Sequence, residues 1–319
     1  MMTSIIGIDI GGTTVKIGIM DPDGHIMDKW EIPTNHANNG AYIIPEIWQS
    51  VSQKLDSTAV IKGIGIGAPG FIDSSTGYVY EAVNIGWKNV ALADELQTIS
   101  GLPVFVANDA NAAVLGENWK GAGENARNLI ALTLGTGVGG GLIVNGDMVD
   151  GENGMAGEIG HTTIDPDGYL CNCGRRGCLE TVASATGMVR QAMEKMEKKP
   201  NSPLVSRYKQ NGTMTTKDIF ELADAGDESC EEIVAYTADI LGLIIANIAT
   251  ITNPSKVLIG GGVSQAGEDF VKLIDAAFSR YALKRVRHIC ELKTARLGND
   301  AGMIGAAFLV RQRLDHLTF

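Results

Sequence analysis

Apolar and polar positions alternate from the start of the chain. Residues 4–10 read as a strand and 14–20 as a second, joined by Gly11-Gly12-Thr13. Asp21-Pro22-Asp23-Gly24 is a strong turn signal, and 25–32 then makes a third strand. The spacing predicts helices over 41–55 and 91–100, with an apolar strand at 60–67 between them. A strand at 103–107 follows, and Asp109 opens a helix to about residue 119. The pattern then restarts. Strands 129–134 and 139–144 flank Gly135-Thr136-Gly137, and Asn145-Gly146-Asp147 is a hairpin turn. Helices follow over 181–198, 216–225 and 228–252, then a strand at 256–259. A helix from Ser264 to Leu283, a strand near 289–295 and a last helix over 300–314 complete the chain.

Both halves show hairpin strands around a Gly/Thr turn, then strands alternating with helices. An internal duplication of one α/β unit accounts for this. Two such lobes would face each other across a central cleft, each contributing one Gly/Thr turn. Alternation of strands and helices implies a mixed sheet covered by helices, with ligands at the carboxyl ends of the strands. A length of 319 residues also favours two domains.

Composition sharpens this in a few places. Glycine, 40 of 319 residues, is well above the usual share of about 7% and clusters in short turns. The net charge of -11, with no basic cluster beyond the short mixed stretch 195–199, argues against an extended nucleic-acid contact. The apolar start lacks a basic leader, and the longest apolar run, 240–251, is too short to span a bilayer and reads as a buried helix. A cytoplasmic location, without nucleic-acid or membrane partners, is the expectation. Five cysteines is an odd number; three fall within 171–178, while Cys230 and Cys290 stand alone. In a reducing compartment such clustering suggests metal before disulfide.

Three constellations carry chemistry. The run Asp9-Ile10-Gly11-Gly12-Thr13-Thr14-Val15-Lys16 is either an ordinary Gly-Gly hairpin turn or offers bare backbone N–H groups to phosphate oxygens, a hydroxyl at Thr13, and a carboxylate for the water shell of Mg²⁺. Its counterpart is Leu134-Gly135-Thr136-Gly137-Val138-Gly139-Gly140-Gly141. Two such hairpins at equivalent places are what holding a triphosphate requires. Gly260-Gly261-Gly262 follows a buried strand and either admits an adenine or ribose, or is a tight turn. The second constellation is Asn108-Asp109-Ala110-Asn111. Asp109 is either a plain helix N-cap or a general base that takes the proton of an attacking sugar hydroxyl. The third is Gly157-Glu158-Ile159-Gly160-His161 followed by Cys171, Cys173, Cys178 and Glu180. Three thiolates and one imidazole suit a closed, structural Zn²⁺ site. Glu158 and Glu180, flanking it, are either grips for vicinal hydroxyls or solvated surface residues. The loops Gly67-Ala68-Pro69-Gly70 and Asn84-Ile85-Gly86-Trp87 edge a sugar pocket or are ordinary turns.

Together these motifs resemble the ROK family of sugar kinases and repressors over nearly the whole chain, and within it the bacterial ROK glucokinases. The resemblance implies an actin-like ATPase (ribonuclease H-like) duplicated α/β fold. Its small lobe would hold 1–109 plus about 300–319. Its large lobe would hold 110–299, with a zinc loop at 161–180, and would make the contact of a homodimer or a dimer of dimers. It implies Asp109 as base, and Asn108, Glu158, His161 and Glu180 on the sugar, with Gly67, Gly70 and Asn84 at its edge. His161, Cys171, Cys173 and Cys178 would bind Zn²⁺. Asp9, Gly11, Gly12, Thr13, Lys16, Thr136, Gly137, Gly260 and Gly261 would bind ATP and Mg²⁺. Ala107 and Ala185 depart from residues common in relatives, Glu and Gly, without removing a reacting group. The expected activity is ATP-dependent phosphorylation of the glucose 6-hydroxyl. The alternatives are a kinase for N-acetylmannosamine, mannose, fructose or allose, a sugar-responsive repressor, and an actin-like assembly protein.

Overall fold

A computed structural model describes residues 3–55, 60–263 and 267–316, the side chains of 314–316 excepted. The chain forms two compact units. The first comprises Met1–Asn125, Met148–Ala156 and Arg296–Phe319, and the second Ala126–Asp147 and Gly157–Ala295.

In the first unit β1 (Thr3–Ile10) and β2 (Thr14–Met20) form an antiparallel hairpin, continued by β3 (Ile26–Pro33). On the other side of β1 lies β4 (Val60–Ala68), then β8 (Val104–Asn108), both parallel to it, giving the order β3-β2-β1-β4-β8. β1 and β4 are buried along most of their length, and the fully covered Ile6, Ile8, Ile64 and Ile66 form the centre of the core. Burial on this scale stabilises by about 1.5–3 kcal/mol per large aliphatic side chain. Between β4 and β8 a separate antiparallel sheet is built from β5 (Phe71–Asp73), β6 (Tyr78–Ala82) and β7 (Trp87–Val90). The sequence reading has loops there.

The expected boundary at residue 109 moves to Asn125, because the helix Asp109–Lys120 packs on the C-terminal helix Ala301–His316. Glycines permit that packing. A Cβ on Gly116 would overlap the carbonyl oxygen of Ala301, and one on Gly305 that of Ala112. Backbone meets backbone, which only a missing side chain allows.

The second unit repeats the design. β9 (Leu129–Leu134) and β10 (Val138–Val144) pair antiparallel, and β12 (Lys256–Gly260) and β13 (Glu291–Thr294) extend the sheet in parallel. With β11 (Asp147–Met148) the order is β11-β10-β9-β12-β13, the same pattern as in the first unit. Asn145 and Gly146 both have positive φ, as the hairpin turn requires. The helix Glu228–Thr252 is long and apolar enough to cross a membrane by length and composition. Cys230, Leu241, Ile245 and Ala249 on it are nonetheless fully covered within this unit's core.

Several helix boundaries differ from expectation. The helix expected over 181–198 breaks at Ser184, whose side chain accepts from the Gly187 N–H and so starts a new helix, Ala185–Lys198, after the short Glu180–Ala183 turn. A helix at Pro203–Asn211 and another at Lys284–Ile289, ahead of β13, were not expected. The helix expected from Ser264 begins outside the described residues; its described part is Glu268–Tyr281.

Candidate functional site

In the first unit Asp9, Gly67 and Ala107 lie side by side across β1, β4 and β8, at their carboxyl ends. Asp109 follows one step beyond β8. A Cβ on Gly67 would stand 3.7 Å from Asp9 Oδ1 and 3.6 Å from the Asp109 Cα, so this glycine separates the two acids. Asp109 is not the N-cap. Asn108 is, its side-chain oxygen accepting from the N–H groups of Ala110 and Asn111. Asn108 Nδ2 donates to the Gly70 carbonyl at 3.1 Å, which leaves one amide hydrogen for a ligand. Asp109 Oδ1 accepts from the Ala110 N–H at 2.8 Å, which fixes the carboxylate over the helix start.

Burial pushes the Asp9 carboxyl up to about 6, helped by the charge of Asp109 and opposed by that of Lys16. Gly302, in the first turn of the C-terminal helix, leaves room for that carboxylate: a Cβ there would stand 2.7 Å from its carbon. Lys16 Nζ donates to the Asn299 carbonyl at 2.9 Å, so its nearness to Asp9 is fixed by a backbone anchor. The Gly11–Thr13 turn is held from below. The Gly11 carbonyl accepts from Thr34 Oγ1 at 2.7 Å, the Thr13 carbonyl accepts from the Thr34 N–H at 2.9 Å, and the Gly12 carbonyl meets His36 Nε2 at 2.7 Å. Gly12 itself is exposed, with exposed Asn84 as its neighbour. The first unit thus brings Asp9, the Gly11–Thr13 turn, Gly67, Gly70, Asn84, Asn108 and Asp109 to one edge. Thr34 and His36 carry no local signal as supports, because their partners lie more than twenty residues away.

In the second unit His161, Cys171, Cys173 and Cys178 offer ligand atoms within 4.8 Å of one another. The sulfurs of Cys173 and Cys178 are 3.6 Å apart, and Cys171 Sγ is 3.6 Å from His161 Nδ1. A tetrahedral zinc with Zn–S of about 2.3 Å sets ligand–ligand edges of about 3.5–3.8 Å. The donor set and spacing fit Zn²⁺. Nδ1 is the imidazole nitrogen facing the thiols. Burial raises the thiols of Cys171 and Cys178, whereas the Arg175 N–H holds Cys173 low, at about 6. Arg175 also donates to the His161 carbonyl at 2.6 Å, closing the loop.

Glu180 joins this cluster to the Gly/Thr turn. Its Oε1 accepts from Cys171 Sγ at 2.9 Å and lies 3.7 Å from His161 Nδ1, while a Cβ on Gly137 would stand 2.8 Å from its Oε2. Thr136, Gly137, Cys171 and Glu180 line a common cavity of about 270 Å³. Glu158 is exposed, just before the 3₁₀ turn Ile159–His161. The glycines of the run 135–141 divide by role. Gly140 packs against the Gly157 carbonyl and Ile159, so it serves close approach of the Glu158 segment; Gly135 faces open space. Gly261, at φ 87°, presses on the Leu134 backbone, which sets the Gly260-Gly261 and Thr136-Gly137 loops together at one edge of the second sheet.

The chain is similar to known proteins along nearly its full length. It is 50% identical over 313 residues to a glucokinase of Halalkalibacterium halodurans, covering 97% of this chain and 95% of that one. A crystal structure of a ROK hexokinase from Thermus thermophilus matches with a TM-score of 0.85 at 30% identity, covering 98% and 99% of the two chains. The ROK family glucokinase from Streptomyces griseus, in complex with glucose and AMPPNP, matches with a TM-score of 0.76 at 36% identity, covering 97% and 99%. The model of the ROK family matches residues 5–313, and the chain belongs to that family.

Proposed function

We propose that the protein is a glucokinase that transfers the γ-phosphoryl group of ATP to the 6-hydroxyl of glucose. The observation that carries this reading is 50% identity along 97% of the chain to a glucokinase. The geometry of Asp109 supports the chemistry: it follows a strand end, is relieved of capping by Asn108, and is fixed by the Ala110 N–H.

Asp109 takes the proton of the 6-hydroxyl as that oxygen attacks phosphorus. Asn108, Glu158, His161 and Glu180 hold the other hydroxyls, with Gly67, Gly70 and Asn84 at the pocket edge. The backbone turns at Gly11–Thr13 and Thr136-Gly137 receive the phosphates, Lys16 adds positive charge near Asp9, and Gly260-Gly261 admits the nucleoside. Asp9 would hold Mg²⁺, which supplies charge neutralisation on the phosphates. His161, Cys171, Cys173 and Cys178 would hold a zinc ion that fixes the fold of the loop bearing Glu180. The same reading makes the protein a cytoplasmic homodimer acting on small molecules, without nucleic-acid or membrane partners.

The test is incubation with ATP and an equimolar mixture of glucose, mannose, fructose, allose and N-acetylmannosamine, followed by NMR identification of the product. Glucose 6-phosphate is expected as the main product. A different sugar phosphate in excess would overturn the choice of glucose, and no ADP formation with any sugar would overturn the kinase reading.

A further inference from the structure

We propose that Asp150 is a positioning residue for phosphoryl transfer, clamping the first helical turn that carries Asp109. The proposal builds on the assignment of Asp109 as base. Asn111 Nδ2 donates to Asp150 Oδ1 at 3.1 Å, and Ser74 Oγ donates to Asp150 Oδ2 at 2.7 Å. Asn111 is only 7% exposed and sits two residues after Asp109 in the same turn, so whatever fixes it fixes Asp109.

The turn is therefore held at two points. Asn108 bonds to the Gly70 carbonyl, and Asn111 bonds through Asp150 to Ser74, which follows β5. Both anchors lead to the two ends of one short strand, Phe71–Asp73. Asp150 is itself fixed. The Ala156 N–H donates to its carbonyl at 3.0 Å, and Gly151 and Gly154 take φ of 74° and 78° to close that loop. Gly154 lies against the Ile72 carbonyl, where a Cβ would stand 2.8 Å away. The loop is thus seated on the same small sheet.

The physics favours a role in turnover. A carboxylate accepting two side-chain hydrogen bonds makes both of them charge-assisted. Its removal leaves the nearly buried Asn111 amide without an acceptor. A base displaced by about 1 Å can lose on the order of 100-fold in rate. Asp150 could act through geometry or through its charge, and Asp150→Asn separates the two. Asparagine still accepts from Asn111, and its N–H₂ can donate to the Ser74 hydroxyl, so the bridge survives without the charge.

The experiment measures kcat, KM for glucose and ATP, and hydrogen–deuterium exchange over residues 108–114 in the full-length protein, for Asp150→Ala, Asp150→Asn and Ser74→Ala. Asp150→Ala should lower kcat by at least ~10-fold, leave the ATP KM within ~2-fold, and speed exchange over 108–114 while β1 keeps its protection. Asp150→Asn should restore kcat to within ~3-fold, and Ser74→Ala, which cuts one arm only, should show a smaller loss with the same exchange pattern. Wild-type kcat in Asp150→Ala, an Asn variant as impaired as the Ala variant, or exchange that rises equally in β1 would each overturn the proposal. Should Asp150→Ala not fold, Ser74→Ala carries the test, and wild-type kcat and exchange in it overturn the clamp. Asp109→Asn is measured alongside. If it keeps its turnover the base assignment falls, while the exchange data still judge the clamp.

Discussion

The Asp9 carboxyl, already raised by burial, is raised further by the negative charge of Asp109, to about 6, in spite of Lys16. A second acid at the same sheet edge opposes the ionisation of Asp9, and a divalent cation relieves that opposition. A group that would hold Mg²⁺ is therefore a liability to the protein without it.

That liability has a definite sign and pH range. The folded protein holds the Asp9 proton up to about pH 6, whereas the unfolded chain releases it near 3.8. This contribution to stability is thus fully present below pH 3.8 and lost as pH rises to about 6. The loss is on the order of 3 kcal/mol at about 1.4 kcal/mol per tenfold change. Asp9→Asn should remove it. Without Mg²⁺ or nucleotide, the variant should melt several degrees above the wild type at pH 7.5, and the gap should narrow toward pH 4.5. Parallel melting curves across that range would show that Asp9 is not strained. The same variant should lose Mg²⁺-dependent phosphorylation.

Asp109→Asn keeps the shape of the site and the hydrogen bond from the Ala110 N–H but removes the carboxylate proposed as the base. Turnover should fall at least ~100-fold, the low end for loss of a general base, with glucose affinity little changed. Steady-state kinetics together with equilibrium glucose binding decide this. Near-normal turnover would mean that solvent or another group takes the proton.

Zinc loading should release protons. Burial keeps the thiols of Cys171 and Cys178 protonated, while Cys173, lowered by the Arg175 N–H, is largely a thiolate at neutral pH. Binding to chelator-treated protein at pH 7 should therefore release about two protons, and affinity should climb steeply as pH rises. Titration in weak buffer with a pH indicator measures the release. Fewer than one proton per zinc would place the metal on other ligands.

The sequence made the two sheets legible because their long central strands carry apolar patterns, and the Cys/His spacing marked the four residues that the fold gathers into a cluster able to hold a metal ion. It hid what depends on partners far along the chain. The strands 71–73, 78–82 and 87–90 are three to five residues long, too short for a clear period, so the platform under Gly70 looked like loop. Asn108 and Asp109 are adjacent residues that both cap helices well, and only the backbone shows which one does. Nothing local to Asp150 points to Asn111 or Ser74. Gly140 belongs to the same glycine run as Gly137, and only the structure shows that its reason is the approach of Gly157 and Ile159.

Gly137 offers a test of how tightly the turn proposed to receive phosphate and the carboxylate proposed to grip the sugar are joined within the second unit. A Cβ there would stand 2.8 Å from Glu180 Oε2 and meets no backbone. The end of a glutamate can swing aside at little cost, so Gly137→Ala should fold with a melting temperature close to that of the wild type. What moves is the carboxylate that also accepts from Cys171. If Glu180 grips a sugar hydroxyl, the variant should raise the glucose KM by roughly 10-fold, the order expected when a charged hydrogen bond worth about 1.5–3 kcal/mol is weakened. Gly135→Ala, in the same turn but facing open space, should leave the glucose KM unchanged. Equal effects of the two substitutions on glucose would show that the turn acts through its backbone alone and that Glu180 is not the residue it constrains.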